Sequence, residues 1–218
     1  MANPKVEDIT IRPLNTKSFK VSIYGDTMIQ NQMSEKTKKQ MIDTQMGTKK
    51  VGKREKKDPK ADFENSLHIV KSGKFTYKSS NNLGLGEVDF NGEVGFPAYG
   101  VKRAIVDSAR NVDGITMTLL RGAIFIQGNE DDLVKLNYKK IIMREDPVVV
   151  SNGRKDLRYR GELRDWDANL TIEYNADVIS AEQIVNLLNI AGFSTGLGEM
   201  RPGKTGGNYG RFKVKETK

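Results

Sequence analysis

The chain has 218 residues, enough for one domain with a sizeable insertion, and its 36 Lys and Arg against 28 Asp and Glu leave a net charge of +8. Such an excess favours polyanionic partners through long-range attraction, although the same charge also serves solubility. With no cysteine there are no disulfides or thiolate metal sites, and a single histidine, His68, removes most histidine-based metal and acid–base schemes.

No apolar run approaches the ~18 residues of a membrane helix, and the opening Met-Ala-Asn-Pro-Lys has no apolar signal region. A soluble, cytoplasmic protein with no membrane partner is expected. Residues 8 to 30 alternate, with Ile9, Ile11, Phe19, Val21 and Ile23 facing one way and Lys20 and Ser22 the other. That period of two predicts a strand, ended by Gly25-Asp26. From Ser34 to Lys60 lysine dominates and large apolar residues thin out. The segment is expected to be an exposed, flexible insertion with a short helix near Glu35 to Gln45.

Order returns from Phe63 to Tyr77, with Leu67, Ile69 and Val70 turned inward. Residues 79 to 95 are rich in turn formers, and Asn91-Gly92 suits a type I′ hairpin. A helix is predicted from Gly100 to Asn111, because Val101, Ala104, Ile105, Ser108 and Ala109 share a face and leave Lys102, Arg103 and Arg110 off it. Strands follow at Gly122 to Gln127 and Leu136 to Met143. After a turn at Asn152-Gly153, Leu157, Tyr159 and Leu163 alternate with Arg158, Arg160, Glu162 and Arg164, and a further strand carries Leu170, Ile172 and Tyr174. From Ser180 to Ala191, Ser180 and Gln183 form a capping box, Ile184, Val185, Leu187, Leu188 and Ala191 an apolar stripe, and Gly192 a stop. Tyr209 to Lys215 closes the chain as a strand. The β-α-β…β-α-β order predicts an α+β, ferredoxin-like antiparallel sheet with two helices, in a single domain over residues 1–218.

Between the last helix and the last strand, residues 196–211 interleave Gly196, Gly198, Gly203, Gly206, Gly207 and Gly210 with Arg201, Lys204, Tyr209 and Arg211. Glycines admit positive φ and close approach of backbone N–H groups, so cations and an aromatic set among them suit a phosphate backbone and a stacked base. Gly203-Lys204-Thr205 lacks the earlier glycine of a phosphate loop, and Gly196-x-Gly198 lacks the strand-turn-helix setting of a dinucleotide fingerprint. No cofactor is expected. Three other basic groups are candidate contacts: Lys49, Lys50, Lys53, Arg54, Lys56 and Lys57 in the insertion, Lys102 and Arg103 on the first long helix, and Arg158 and Arg160 with Arg154 and Lys155 near the hairpin. Arg158 and Arg160 share a strand face ~7 Å apart, near the phosphate spacing, and could equally pair with Glu162, Asp165 or Asp167. Stacking would come from Tyr209, Tyr99 or Phe96, with Phe96 expected in the core and Tyr209 the best placed for exposure. His68, in an apolar context, reads as a buried, satisfied residue, and Asp43 and Asp58 as solvated charges.

Gly95-Phe-Pro-Ala-Tyr-Gly-Val-Lys-Arg-Ala104 and Gly196-Leu-Gly-Glu-Met-Arg-Pro-Gly-Lys-Thr-Gly-Gly-Asn-Tyr-Gly-Arg-Phe212 resemble the helix lead-in and glycine-rich loop of the RAMP superfamily. The basic insertion matches that family's in position and charge. The family includes the repeated backbone subunits that coat guide RNA in CRISPR effector complexes. The resemblance implies an RRM-like domain that binds single-stranded RNA or DNA along a positive groove, without catalysis, in side-by-side copies or a nucleoprotein complex. The chain is also similar in character to small phage accessory proteins. A rival expectation is therefore a phage interaction or assembly protein that mimics a host RAMP subunit, and a third is a nuclease using metal-bound aspartates.

Overall fold

The computed structural model describes residues 13–33, 35–47, 57–79, 84–149, 153 and 155–216. In chain order the elements are β1 (Thr16–Ile29), α1 (Glu35–Gln45), α2 (Pro59–Glu64), β2 (His68–Lys71), β3 (Phe75–Tyr77), β4 (Gly86–Phe90), β5 (Glu93–Pro97), α3 (Ala98–Ser108), α4 (Met117–Ala123), β6 (Ile124–Ile126), β7 (Leu133–Asn137), β8 (Lys140–Val149), β9 (Lys155–Asn175), α5 (Ala181–Ile190), α6 (Pro202–Thr205) and β10 (Lys213–Val214).

The sheet is organised on β9. One edge of this strand bonds antiparallel to β1 over residues 162–175, and the other bonds in turn to β8, β7 and β6. Two branches extend from it, β7-β5-β2 and β8-β4-β3. β10 adds to the far side of β1, so β10, β1, β9 and β6 are neighbours in that order. α3 follows β5 and leads through α4 to β6, and α5 follows β9 on the way to β10, an α+β arrangement consistent with a ferredoxin-like core. With ten strands in the sheet among the described residues, the fold is richer in strands than the sequence reading expected.

A crease crosses the sheet. β7 and β8 keep one register along β9, Leu136 opposite Ala168 and Lys140 opposite Arg164, with Tyr138-Lys139 interrupting them. Opposite the interruption lies Asp165, at φ 47. On β9 the buried apolar side chains are Tyr159 and Leu163 before it, then Trp166, Ala168, Leu170, Ile172 and Tyr174 after it, while Arg160 and Glu162 are buried on the other parity. β1 changes in step, from Ile23 to Met28, and the neighbour strands from Leu136 to Ile141 and Met143. Successive strand residues face opposite ways, so a change of parity with the register intact means that all three strands turn over at one line. Beyond it, even-numbered residues of β8 and β9 form a charged face.

Helices cover the apolar surfaces. Val101, Ala104 and Ile105 of α3 meet Ile184, Leu187 and Leu188 of α5 in the main core, and Ser108 Oγ donates to the Leu187 carbonyl at 3.1 Å. α5 carries the expected capping box, Ser180 Oγ accepting from the Gln183 N–H at 3.2 Å and Gln183 Oε1 from the Ser180 N–H at 3.0 Å. Phe63 of α2 and the following Leu67 pack over Gly161 of β9.

Several expectations change. Asn91-Gly92 makes no hairpin, because β4 pairs with β3 and β8 while β5 pairs with β2 and β7; Asn91 Oδ1 instead accepts from the Lys74 N–H at 2.6 Å. The predicted strand at Gly122 begins as α4, capped by Thr116. Gly192 does not stop the helix. A wider turn runs on over Ala191–Thr195 to Gly196, and Gly192 is where the backbone of Phe212 crosses too closely for any side chain. The closing strand shrinks to β10, leaving Tyr209 to Phe212 in the glycine-rich loop. α1 lies where the short insertion helix was expected.

Candidate nucleic-acid interface

The glycine-rich loop is stitched to the end of β1. The Leu197 N–H donates to the Gly210 carbonyl, the Gly210 N–H to Thr27 and the Glu199 N–H to Ile29, each at 2.8 Å. Pro202 starts the single turn α6, and Gly206 ends it at φ 69. Arg201 Nη1 donates to the Gly198 carbonyl at 2.7 Å, and Lys204 Nζ to Glu199 Oε1 at 2.6 Å. The loop is thus a braced platform.

Its Tyr209 side reaches the charged face of β8 and β9. There Arg144 donates to Asp146 Oδ1 from Nε at 2.9 Å and Nη2 at 2.7 Å, and from Nη1 to Glu162 Oε2 at 2.7 Å. Arg164 Nε donates to Glu162 Oε1 at 2.8 Å. The Arg144 guanidinium lies over the Tyr209 ring, 4.8 Å from its centroid. Burial opposes the charge on Arg144, yet its bonds to Asp146 and Tyr209 hold its pKa above the usual guanidinium value. Arg160 is 6% exposed, with Nη1 3.8 Å from Asp146 Oδ2, and burial lowers its pKa.

On its other side the loop forms one wall of a cleft of about 270 Å³. Thr195 to Glu199 and Arg201 line that wall, the first turn of α3 with Tyr99, Gly100 and Arg103 faces it, and His68, Phe96 and Asn31 complete the rim. The N-cap of α3 is Pro97, which makes no side-chain cap bond. The Ala98 N–H donates instead to the Asp132 carbonyl at 2.8 Å, so one of the N-terminal N–H groups of α3 is already bonded. Tyr99 is 68% exposed. His68 lies edge-on to Phe96, ring centroids 6.1 Å apart, and burial lowers its pKa to about 4. It is neutral near pH 7.

The structure brings together only part of the expected set. Arg103 and Arg201 meet at the cleft, while Lys204 and Tyr209 lie on the same loop. Arg211 is exposed, its guanidinium 4.7 Å from the centroid of the Phe193 ring. Arg158 is exposed beside Asp156 at 3.4 Å. Lys57 sits at the same corner, bonded to Asp156 Oδ1 at 2.6 Å and to the Leu157 carbonyl. Arg160 shares the strand face of Arg158 as read, but the Arg144 and Asp146 side chains enclose it. Lys102 turns away from the cleft, its Nζ 3.9 Å from the Phe125 ring centroid and bonded to the Arg121 carbonyl at 2.8 Å. Tyr209 is half-buried under Arg144, so of the three expected stacking residues Tyr99 is the exposed one. Lys49, Lys50, Lys53, Arg54 and Lys56 lie outside the described residues.

The sequence reading missed His68, Asn31, Arg144 and Glu199. His68 had been placed in the core on its apolar neighbours, a local signal that says nothing of the cleft formed when distant segments meet. Asp58 proves to be the N-cap of α2, accepting from the Lys60 and Ala61 N–H groups at 3.1 and 3.2 Å.

No known protein family matches the sequence, and no curated protein is similar to it. Among solved structures the chain is similar to one in the cryo-EM structure of the Type III-B Cmr-beta bound to cognate target RNA, at 13% identity and TM-score 0.43. The match covers 93% of this chain and spans 60% of that one. Among the described residues, no helix is long and apolar enough to cross a membrane.

Proposed function

We propose that this protein binds single-stranded nucleic acid, RNA or DNA, without catalysis, on a RAMP-type scaffold. One observation carries the reading: the glycine-rich loop, the first turn of α3, Arg103, Arg201 and the exposed Tyr99 open onto one cleft, beside a face carrying Arg144, Arg158 and Arg164. Phosphates would follow the cations and the loop, with a base on Tyr99. Carboxylates near this path are already partnered: Glu199 by Lys204, Asp107 by Arg103 at 3.5 Å, and Glu162 by Arg144 and Arg164. That pairing favours a binding surface over an acid–base centre. Among the described residues, β2, β3, β6 and β10 each have one strand neighbour, leaving edges on which copies could align along a strand.

The test is fluorescence anisotropy with labelled oligo-U and oligo-dT. Arg103→Glu and Arg201→Gln should each weaken binding about tenfold, by the same factor for both oligonucleotides, because phosphate contacts carry no base preference. Added magnesium or manganese should produce no cleavage. Absence of binding at low salt would overturn the reading and favour an assembly protein. Unchanged affinity in both variants would move the contact away from the cleft.

A further inference from the structure

We infer that the cleft between α3 and the glycine-rich loop is a pocket for a single nucleotide whose base leaves the stack, rather than one more stretch of a continuous phosphate track. The inference rests on the strand-binding reading and names what the site would select. Three properties of the cleft point to a nucleotide.

Its size is the first. About 270 Å³ lies just below the ~300–1,000 Å³ typical of pockets for drug-sized ligands, room for one nucleotide and not for two. The second is the division of its lining. Arg103 and Arg201 supply positive charge for a phosphate; of the two carboxylates in the same lining, Asp107 is paired with Arg103 at 3.5 Å and Glu199 with Lys204 at 2.6 Å. Tyr99, His68 and Asn31 supply an exposed aromatic ring, a ring with one donor and one acceptor nitrogen, and an amide with both kinds of group, while Phe96 beneath them belongs to the core. A plain phosphate track has no use for those three. A base has a π-face for Tyr99 and polar edges for Asn31 and an uncharged His68.

Rigidity is the third. Three backbone bonds fix the loop wall to β1 and to itself, and Gln30 fixes the opposite rim: its Nε2 donates to the Gly95 carbonyl at 2.7 Å while its Oε1 accepts from the His68 N–H at 2.9 Å. Gln30 is fully buried, so His68 is anchored from within the core. A pocket held in shape before its ligand arrives loses less affinity to ordering on binding.

His68 is the only histidine in the chain, so its imidazole NMR signals report on this cleft and nowhere else. The experiment titrates the full chain with uridine monophosphate, adenosine monophosphate and inorganic phosphate in parallel, with oligo-U anisotropy on the same sample. A saturable shift of the His68 signals by at least one nucleotide, with phosphate at least tenfold weaker, is expected. Tyr99→Ala should weaken the nucleotide by about tenfold and leave the phosphate titration unchanged, since stacking involves the base alone. Phosphate that saturates as tightly as either nucleotide would reduce the cleft to an anion site and overturn the inference. Bound oligo-U with no response of His68 to either nucleotide would overturn it while leaving strand binding intact. Failure of oligo-U and nucleotides alike would remove both.

Discussion

Gly210 and Gly206 both sit in the glycine-rich loop at left-handed φ, 71 and 69, but only one is crowded. A Cβ on Gly210 would overlap the Leu197 carbonyl oxygen, in a residue whose N–H is itself bonded to the Gly210 carbonyl; a Cβ on Gly206 meets nothing within 4 Å. Gly206→Ala should therefore cost only the backbone penalty, about 1 kcal/mol, while Gly210→Ala should cost several times more and loosen the loop from β1. Thermal melts of the two variants check this. His68 adds a pH dependence. Its pKa is near 4 in the folded protein and near 6.5 when exposed, so the folded state binds fewer protons between those values. Its contribution is complete above about pH 6.5 and is lost as pH falls towards 4, at most about 3 kcal/mol in all. His68→Gln should flatten that part of the stability profile. Asp107, Glu199, Arg103 and Arg201 line the same cleft, so the comparison with the parent protein isolates the histidine from their titration and charge.

The crease shows what short elements reveal and what they hide. α5 was legible because its cap, its stripe and its neighbours lie within one stretch of chain. β9 was read as two strands for a physical reason: alternation in Leu157, Tyr159 and Leu163 and alternation in Leu170, Ile172 and Tyr174 fall on opposite parities, and nothing local says that one strand turns over at Asp165. The failed hairpin at Asn91-Gly92 has a similar origin, since a turn dipeptide fixes the bend and not the partners that β4 and β5 find far along the chain. The charged face of β8 and β9 depends on this geometry. Asp146 is 3% exposed and lies between Arg144 and Arg160, with its Oδ2 and the Arg160 Nε lacking hydrogen-bond partners. Asp146→Ala leaves the buried Arg160 without its carboxylate and Arg144 with Glu162 alone, and should cost about 3 kcal/mol, and adding Arg160→Met should restore part of it. Urea denaturation of the single and double variants measures both.

For the whole molecule, a net charge of +8 overstates what a strand would meet. Lys57 and Lys204 are held by carboxylates at 2.6 Å, Arg103 and Arg158 more loosely at 3.5 and 3.4 Å, Arg160 is buried and Lys102 faces Phe125. Of the expected contacts among the described residues, Arg103, Arg158, Arg201 and Arg211 keep the best access to solvent or the cleft. Four phosphate contacts on a single strand correspond to a slope of log affinity against log salt of about −3. Oligo-U titrations over a range of salt should give that value. A slope near zero would sink the electrostatic reading, and one steeper than about −5 would bring the insertion lysines into the contact. Composition made the sign of the charge legible; which cations remain free was not, because Lys57 finds Asp156 far along the chain and the nearer pairs, Lys204 with Glu199 and Arg158 with Asp156, depend on how the loop and the strand fold.

The bracing of the glycine-rich loop against β1 has a kinetic corollary. A glycine-dense segment left loose would have to become ordered around each incoming strand, and encounters would often dissolve before that search ended. Here folding has already performed the search, at Thr27, Ile29 and Gly210. Capture should then run at the pace of collision, and differences among ligands should emerge in how long each one stays.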